Sequence, residues 1–174
     1  MSNIQFKLLI IIFILFSNQL FAQKSINSNH TASYRHDSLM SSNDLKFKFI
    51  YSEAKNGLIT LVKINIFSKN TLIQTLYSNE YIYRYHGEKL IDYNFDGVND
   101  ISVNSNCGSG GCIYQVWLYS KKDHKYHYAK ELSNRYGLAI DKKKKYILFN
   151  YWGGVGNEIS DTLHYVKGKL RPIN

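Results

Sequence analysis

The densest run of potential ligand atoms in this 174-residue chain is Asp92-Tyr93-Asn94-Phe95-Asp96-Gly97-Val98-Asn99-Asp100. Asp92, Asn94, Asp96 and Asp100 place side-chain oxygens at loop positions 1, 3, 5 and 9, and Gly97 occupies position 6. That spacing lets one sharply turned backbone aim several oxygens at a common point, with the Val98 carbonyl as a further ligand, so calcium is the cofactor expected. The helix-loop-helix version of such a loop needs a bidentate Glu at position 12, where this chain has Val103. Strand-like residues also flank the loop, Leu90-Ile91 before it and Ile101-Ser102-Val103 after it. The same residues describe a second structure, an Asx-rich turn closed by side-chain to backbone hydrogen bonds without metal.

A second candidate lies just downstream. Cys107 and Cys112, the chain's two cysteines, enclose Gly108-Ser109-Gly110-Gly111. In an oxidising compartment they are expected to form a local disulfide. Metal ligation by this pair would need further ligands, and no CxxC or paired-His motif supplies them. Glycines permit close backbone approach to a partner, and a disulfide would fix a loop that otherwise wanders. A loop ordered in advance binds at lower entropic cost. The segment Ser105 to Tyr114 is therefore the expected partner-binding element, with Ser109 and Tyr114 offering hydroxyls to an acidic cleft. The glycine-rich stretch Trp152 to Glu158 is read either as a neighbour of this loop or as a long hairpin turn.

Catalysis finds weaker signals. Cys107-Gly108-Ser109-Gly110-Gly111 approaches a nucleophile elbow, but Cys107 stands where glycine is required and no strand-to-helix turn is visible. His124 and His127 fall in a lysine-rich turn, expected to be solvated. Glu53, Glu80, Glu88, Glu131, Glu158 and Asp161 show no spacing that singles out a glycosidase pair. The chain is not expected to be an enzyme.

The elements that must position these loops read as strands. Lys46-Phe47-Lys48-Phe49 alternates as a half-buried strand does, and Asn56-Gly57 is a tight-turn signal. Leu58 to Phe67, Thr71 to Tyr77, Tyr81 to Tyr85, Cys112 to Tyr119, Lys125 to Leu132, Tyr146 to Trp152, Ile159 to Val166 and Lys169 to Ile173 follow as strands between turns. The 15 tyrosines and nine phenylalanines suit strands better than helices. Short strands with regular turn signals predict an all-β fold, a single antiparallel β domain of meander or propeller-like sheets carrying the calcium-type acidic loop.

Residues 1–22 read as a signal peptide. Lys7 and the amino terminus supply positive charge, Leu8 to Phe16 an apolar run, and Ala22 a small residue before the cut. The apolar run is about half the length a bilayer crossing needs, so no stable membrane anchor is expected. Residues 23–44 are polar and read as a flexible lead-in, leaving 45–174 as the folded domain. Losing Lys7 takes the formal charge from +9 to +8. A basic exported protein could meet anionic lipid, wall polymer or an acidic protein. Nucleic acid is not expected, because the lysines are scattered apart from Lys142 to Lys145, which read as a solvated turn.

Several features taken in order resemble a known family. They are the acidic loop at 92–100, the Gly/Cys loop at 107–112, Tyr114-Gln115-Val116-Trp117, Lys130-Glu131-Leu132 and Gly168-Lys169-Leu170. Together they are similar to small periplasmic β-proteins that act as immunity proteins against peptidoglycan-hydrolase effectors of bacterial killing secretion systems. Those proteins are structurally similar to the periplasmic inhibitors of invertebrate-type lysozyme. The resemblance covers Leu90 to Leu170, and the amino-terminal half matches only in being β-rich. It implies a periplasmic inhibitor, supported by calcium, whose loop enters the cleft of a lysozyme-like peptidoglycan hydrolase and blocks its catalytic carboxylate. The alternative is a calcium-stabilised carbohydrate or cell-wall binding module, in which Trp117 and Trp152 could stack on sugars.

Overall fold

The computed structural model describes residues 34–42, 44–53, 56–78, 81–82, 87–109, 111–152, 158–166 and 168–173. All of them lie in one compact unit, Ala32–Asn174. The expected signal segment and the first part of the expected lead-in fall outside the described residues. No helix occurs among those described, and the all-β antiparallel expectation stands.

The strands form three sheets. The first holds β1 (Tyr34–Ser42), β2 (Leu45–Glu53), β3 (Ile59–Ser68) and β4 (Thr71–Tyr77), with short β5 (Tyr81–Ile82) pairing β3. The second is β6 (Glu88–Ile91), β7 (Asp100–Gly108), β8 (Gly111–Ser120) and β9 (Lys125–Tyr128), and the third is β10 (Leu138–Asp141), β11 (Tyr146–Trp152), β12 (Glu158–Val166) and β13 (Lys169–Pro172). Each four-strand path is a meander in sequence order, so every pairing on it follows a local reversal of the chain. The reversals use residues that tolerate positive φ, such as Lys69 and Asn70 (46° and 68°) between β3 and β4.

The second sheet is the middle layer, and strand alternation shows why. Ile101, Val103 and Trp117 point to one face and join Phe47, Phe49, Leu61, Ile64 and Ile66 of the first sheet in one core cluster. Tyr114 and Val116 point to the other face and join Ile147 and Phe149 of the third sheet in a second cluster. A strand buried on both faces cannot show a polar side, and β7 accordingly stays buried through Ser102, Asn104 and Ser105. Side-chain bonds tie the layers. Gln74 on β4 accepts from the Tyr126 N–H and donates to the Tyr126 carbonyl, both at 2.9 Å, mimicking a strand pairing at the edge of β9. Glu88 on β6 accepts from Ser38 and Tyr51 hydroxyls, both at 2.5 Å, and so holds β1 and β2 to the second sheet.

Three expectations are corrected. Residues 34–42, read as flexible lead-in, form β1 and pair with β2 from Tyr34↔Glu53 to Ser42↔Leu45. An edge strand is held by backbone bonds and needs little apolar content; Met40 packs on the core and Asp37 pairs with Lys48 at 2.8 Å. The strand expected over Lys125 to Leu132 stops at Tyr128, because the Ala129 carbonyl accepts from both Leu132 and Ser133 N–H groups and turns the chain. Finally, β10 was not expected at all, since four residues between a glycine and a lysine run give too short a pattern.

Candidate functional site

The Ser105–Tyr114 segment is the tip of the β7–β8 hairpin. Cys107 and Cys112 face each other directly across the two strands and are disulfide-bonded, with Cα atoms 4.0 Å apart. Above them Gly108 pairs with Gly111, and Ser109 lies in the turn. Gly110 falls outside the described residues. Gly111 has φ of 112°, a conformation that favours glycine. Gly108 and Ser109 are exposed, as is Asn106. The hairpin is buttressed from the side as well. Gly137 N–H donates to the Cys112 carbonyl at 2.9 Å, Asn134 N–H donates to the Tyr114 carbonyl at 3.0 Å, and Ile113 bridges Tyr136. This outer support depends on Gly137, whose φ is 67° and whose added Cβ would meet the Asn150 carbonyl oxygen at 1.6 Å.

The structure divides the expected contact residues. Ser105 is buried and its hydroxyl donates to the Ile113 carbonyl at 3.4 Å. A register shift between Asn104 and Asn106 turns it out of the regular ladder. Tyr114 is also buried, packed in the second core cluster, with its hydroxyl accepting from Lys89 Nζ at 3.2 Å. Lys89 Nζ also lies 4.9 Å from the Tyr114 ring centre. Both residues therefore support the tip from within, in place of the contact role expected for them. The presented surface contracts to Asn106, Gly108 and Ser109. It carries no charged side chain. Nothing in the local pattern could have revealed this, because the burial of Tyr114 follows from the third sheet covering its face.

The acidic loop closes on itself. Asp92 accepts from Asp96 N–H (3.0 Å) and Gly97 N–H (2.8 Å). Asn94 Oδ1 accepts from Asp96 N–H at 3.1 Å, and Asp96 Oδ1 accepts from Val98 N–H at 2.8 Å. Gly97 has φ of 88°, as the sharp turn requires. Asp100 behaves differently from its expected ligand role. It is fully buried, with Oδ2 accepting from Tyr93 N–H and Oδ1 from Tyr119 N–H, each at 2.8 Å. Burial pushes its carboxyl up to about 7, against the opposing pull of the Tyr119, Tyr93 and Asn94 backbone amides. Among the described residues no three His, Cys, Asp or Glu side chains are grouped to hold a metal ion. In this conformation the side chains of Asp92, Asn94 and Asp96 make the self-closing bonds of an Asx-rich turn.

The remaining candidates are placed as follows. Trp117 is buried at 4% exposure, so it cannot stack on a sugar. The 153–157 part of the second glycine-rich stretch lies outside the described residues. His124 and His127 are exposed around the β8–β9 turn, His127 against Asp123 at 2.7 Å.

No family model matches this chain, and no curated protein matches it. Among solved structures, it is similar to one described as a Xanthomonas type IV secretion system related protein, at 10% identity and a TM-score of 0.43, covering 84% of this chain and 97% of that one.

Proposed function

We propose that this protein is an exported inhibitor, or immunity protein, of a peptidoglycan-cleaving hydrolase, and that the β7–β8 tip is the element that enters the enzyme's cleft. The observation that carries this reading is the disulfide between directly paired Cys107 and Cys112 beneath an exposed Gly108–Ser109 tip. A hairpin cross-linked one pair below its turn and bonded along its outer side loses little freedom on binding. Its glycines let the backbone come close to a cleft floor, and the Ser109 hydroxyl can donate to a carboxylate there. The tip acts by occupation and performs no chemistry. The formal charge of +8 that remains without Lys7 favours a target with an acidic surface. The apolar leader at Leu8 to Phe16 supports a periplasmic site of action.

The test uses Gly108→Glu. A Cβ at Gly108 would meet nothing within 4 Å, so the domain keeps its stability while the tip gains bulk and charge. The chain from Gln23 to Asn174, which contains the whole compact unit, is assayed against a panel of lysozyme families. Inhibition that Gly108→Glu abolishes, with an unchanged melting temperature, is the expected result. A wild-type chain that inhibits no hydrolase in the panel, or a variant that inhibits as well as the wild type, overturns the reading.

A further inference from the structure

The third sheet gathers positive charge at one end. Its pairing register aligns Asp141, Tyr146, His164 and Arg171 in one row across all four strands. Beyond that row, on the same side, lie the Lys142–Lys145 turn of the β10–β11 hairpin and the Val166↔Lys169 pair of the β12–β13 hairpin. The four turn lysines, Lys169 and Arg171 are all exposed. None of them forms an ion pair among the described residues. Asp141, the acid in the first turn, is engaged by the N–H groups of Lys143 and Lys144, both at 3.0 Å, which shapes the turn. Lys145 closes it with φ of 57°. Two turns far apart in sequence thus become one basic edge, because the meander brings alternate hairpins to the same end of the sheet.

That end faces away from the hairpin tip. Gly168, in the β12–β13 turn, lines a pocket of about 360 Å³ with Ser120 and His127, which places it at the far end of β8. Strand β8 runs from Gly111 to Ser120, ten residues, so the basic turns and the Gly/Cys tip are separated by about 30 Å at the usual strand rise. Asn94 and Asp96 line the same pocket, so the acidic loop lies beside the β12–β13 turn at this end of the molecule.

We infer that the Lys142–Lys145 turn, with Val166 and Lys169 beside it, forms a docking edge for an anionic lipid bilayer, holding the β7–β8 tip outward from the membrane. Charge complementarity favours phosphate headgroups, and the shape favours a bilayer over a polymer strand: the cations sit on projecting turns that can touch a plane. Val166, 43% exposed among these cations, supplies an apolar contact at headgroup depth. Each lysine brought to such a surface strengthens partition about fivefold, and salt weakens the attraction.

The test is sedimentation of the Gln23–Asn174 chain with phosphatidylglycerol vesicles, phosphatidylcholine vesicles and purified peptidoglycan, at low and high salt. One variant replaces Lys142, Lys143, Lys144 and Lys145 by Gln. A charge-matched control replaces Lys46, Lys63, Lys69 and Lys130 by Gln. The expected result is salt-sensitive binding to phosphatidylglycerol alone, weakened roughly tenfold or more in the first variant and much less in the control. Equal weakening in both variants would reduce the effect to net charge and overturn the proposal. Equal binding to both vesicle types, or binding to peptidoglycan without binding to phosphatidylglycerol, would overturn it too. Neither variant touches the hairpin tip and both remove the same charge, so hydrolase inhibition is equal in the two, and the two proposals fail separately.

Discussion

Asp100 is the residue at which the loop, the middle sheet and the expected metal site meet, and its replacement gives the sharpest test of the structure. Its carboxyl is fully buried and accepts from the Tyr93 and Tyr119 N–H groups, both at 2.8 Å. Asp100→Ala leaves both amides without their acceptor. An unsatisfied buried donor costs about 1–3 kcal/mol, so with two of them the variant should lose about 2–6 kcal/mol, a large share of the roughly 5–15 kcal/mol that holds a domain together. Asp100→Asn keeps one acceptor and turns an NH2 toward the other amide, so it should fall between the two. The assay is urea unfolding followed by the fluorescence of buried Trp117, in EDTA. A loss that appears only when calcium is present, with both variants within about 0.5 kcal/mol of wild type in EDTA, would refute the reasoning and return Asp100 to the ligand role. The pH dependence has a definite sign. The folded carboxyl is raised from 3.8 to about 7. The folded state therefore binds the proton more tightly than the unfolded state. That contribution is fully present below pH ~4 and is lost as pH rises through ~7, a change of about 4 kcal/mol in EDTA. Asp100→Asn should flatten the profile across that window.

Two further predictions follow from the packing. Gly137→Ala combines a positive φ with a Cβ placed 1.6 Å from the Asn150 carbonyl oxygen; it should cost about 3 kcal/mol or more, and a melting temperature within a degree or so of wild type would show that the outer support of β8 is not as described. Gln74→Leu removes both side-chain bonds to Tyr126 and should cost about 1–3 kcal/mol in urea unfolding, with Gln74→Glu, which keeps an acceptor but no donor, intermediate; equal stability of all three would mean that the first two sheets do not depend on this bridge.

The strands that sit between strong turn signals were legible in the order of the amino acids. Asn56-Gly57, Ser68-Lys69-Asn70 and Lys121 to His124 reverse the chain for local reasons, and the residues between them alternate or are β-branched and aromatic. The disulfide was legible too, since five residues of separation leave the two cysteines within reach of each other; for the 92–100 loop the residues offered calcium ligation and an Asx-rich turn side by side. Trp117, a candidate for sugar stacking in the alternative module, is buried between sheets instead. Tertiary structure alone decided the rest. β1 is held by backbone pairing to β2, which leaves no apolar periodicity to read. Ser105 and Tyr114 are buried because the middle sheet is covered on both faces, a fact about layers that no single strand encodes. Asp100 turns inward because the N–H groups it accepts from include that of Tyr119, which is 19 residues away along the chain but adjacent once β7 and β8 pair. The basic edge likewise exists only after β10 to β13 fold into one meander: charge on each turn is local, but its concentration depends on the register that brings the two turns side by side.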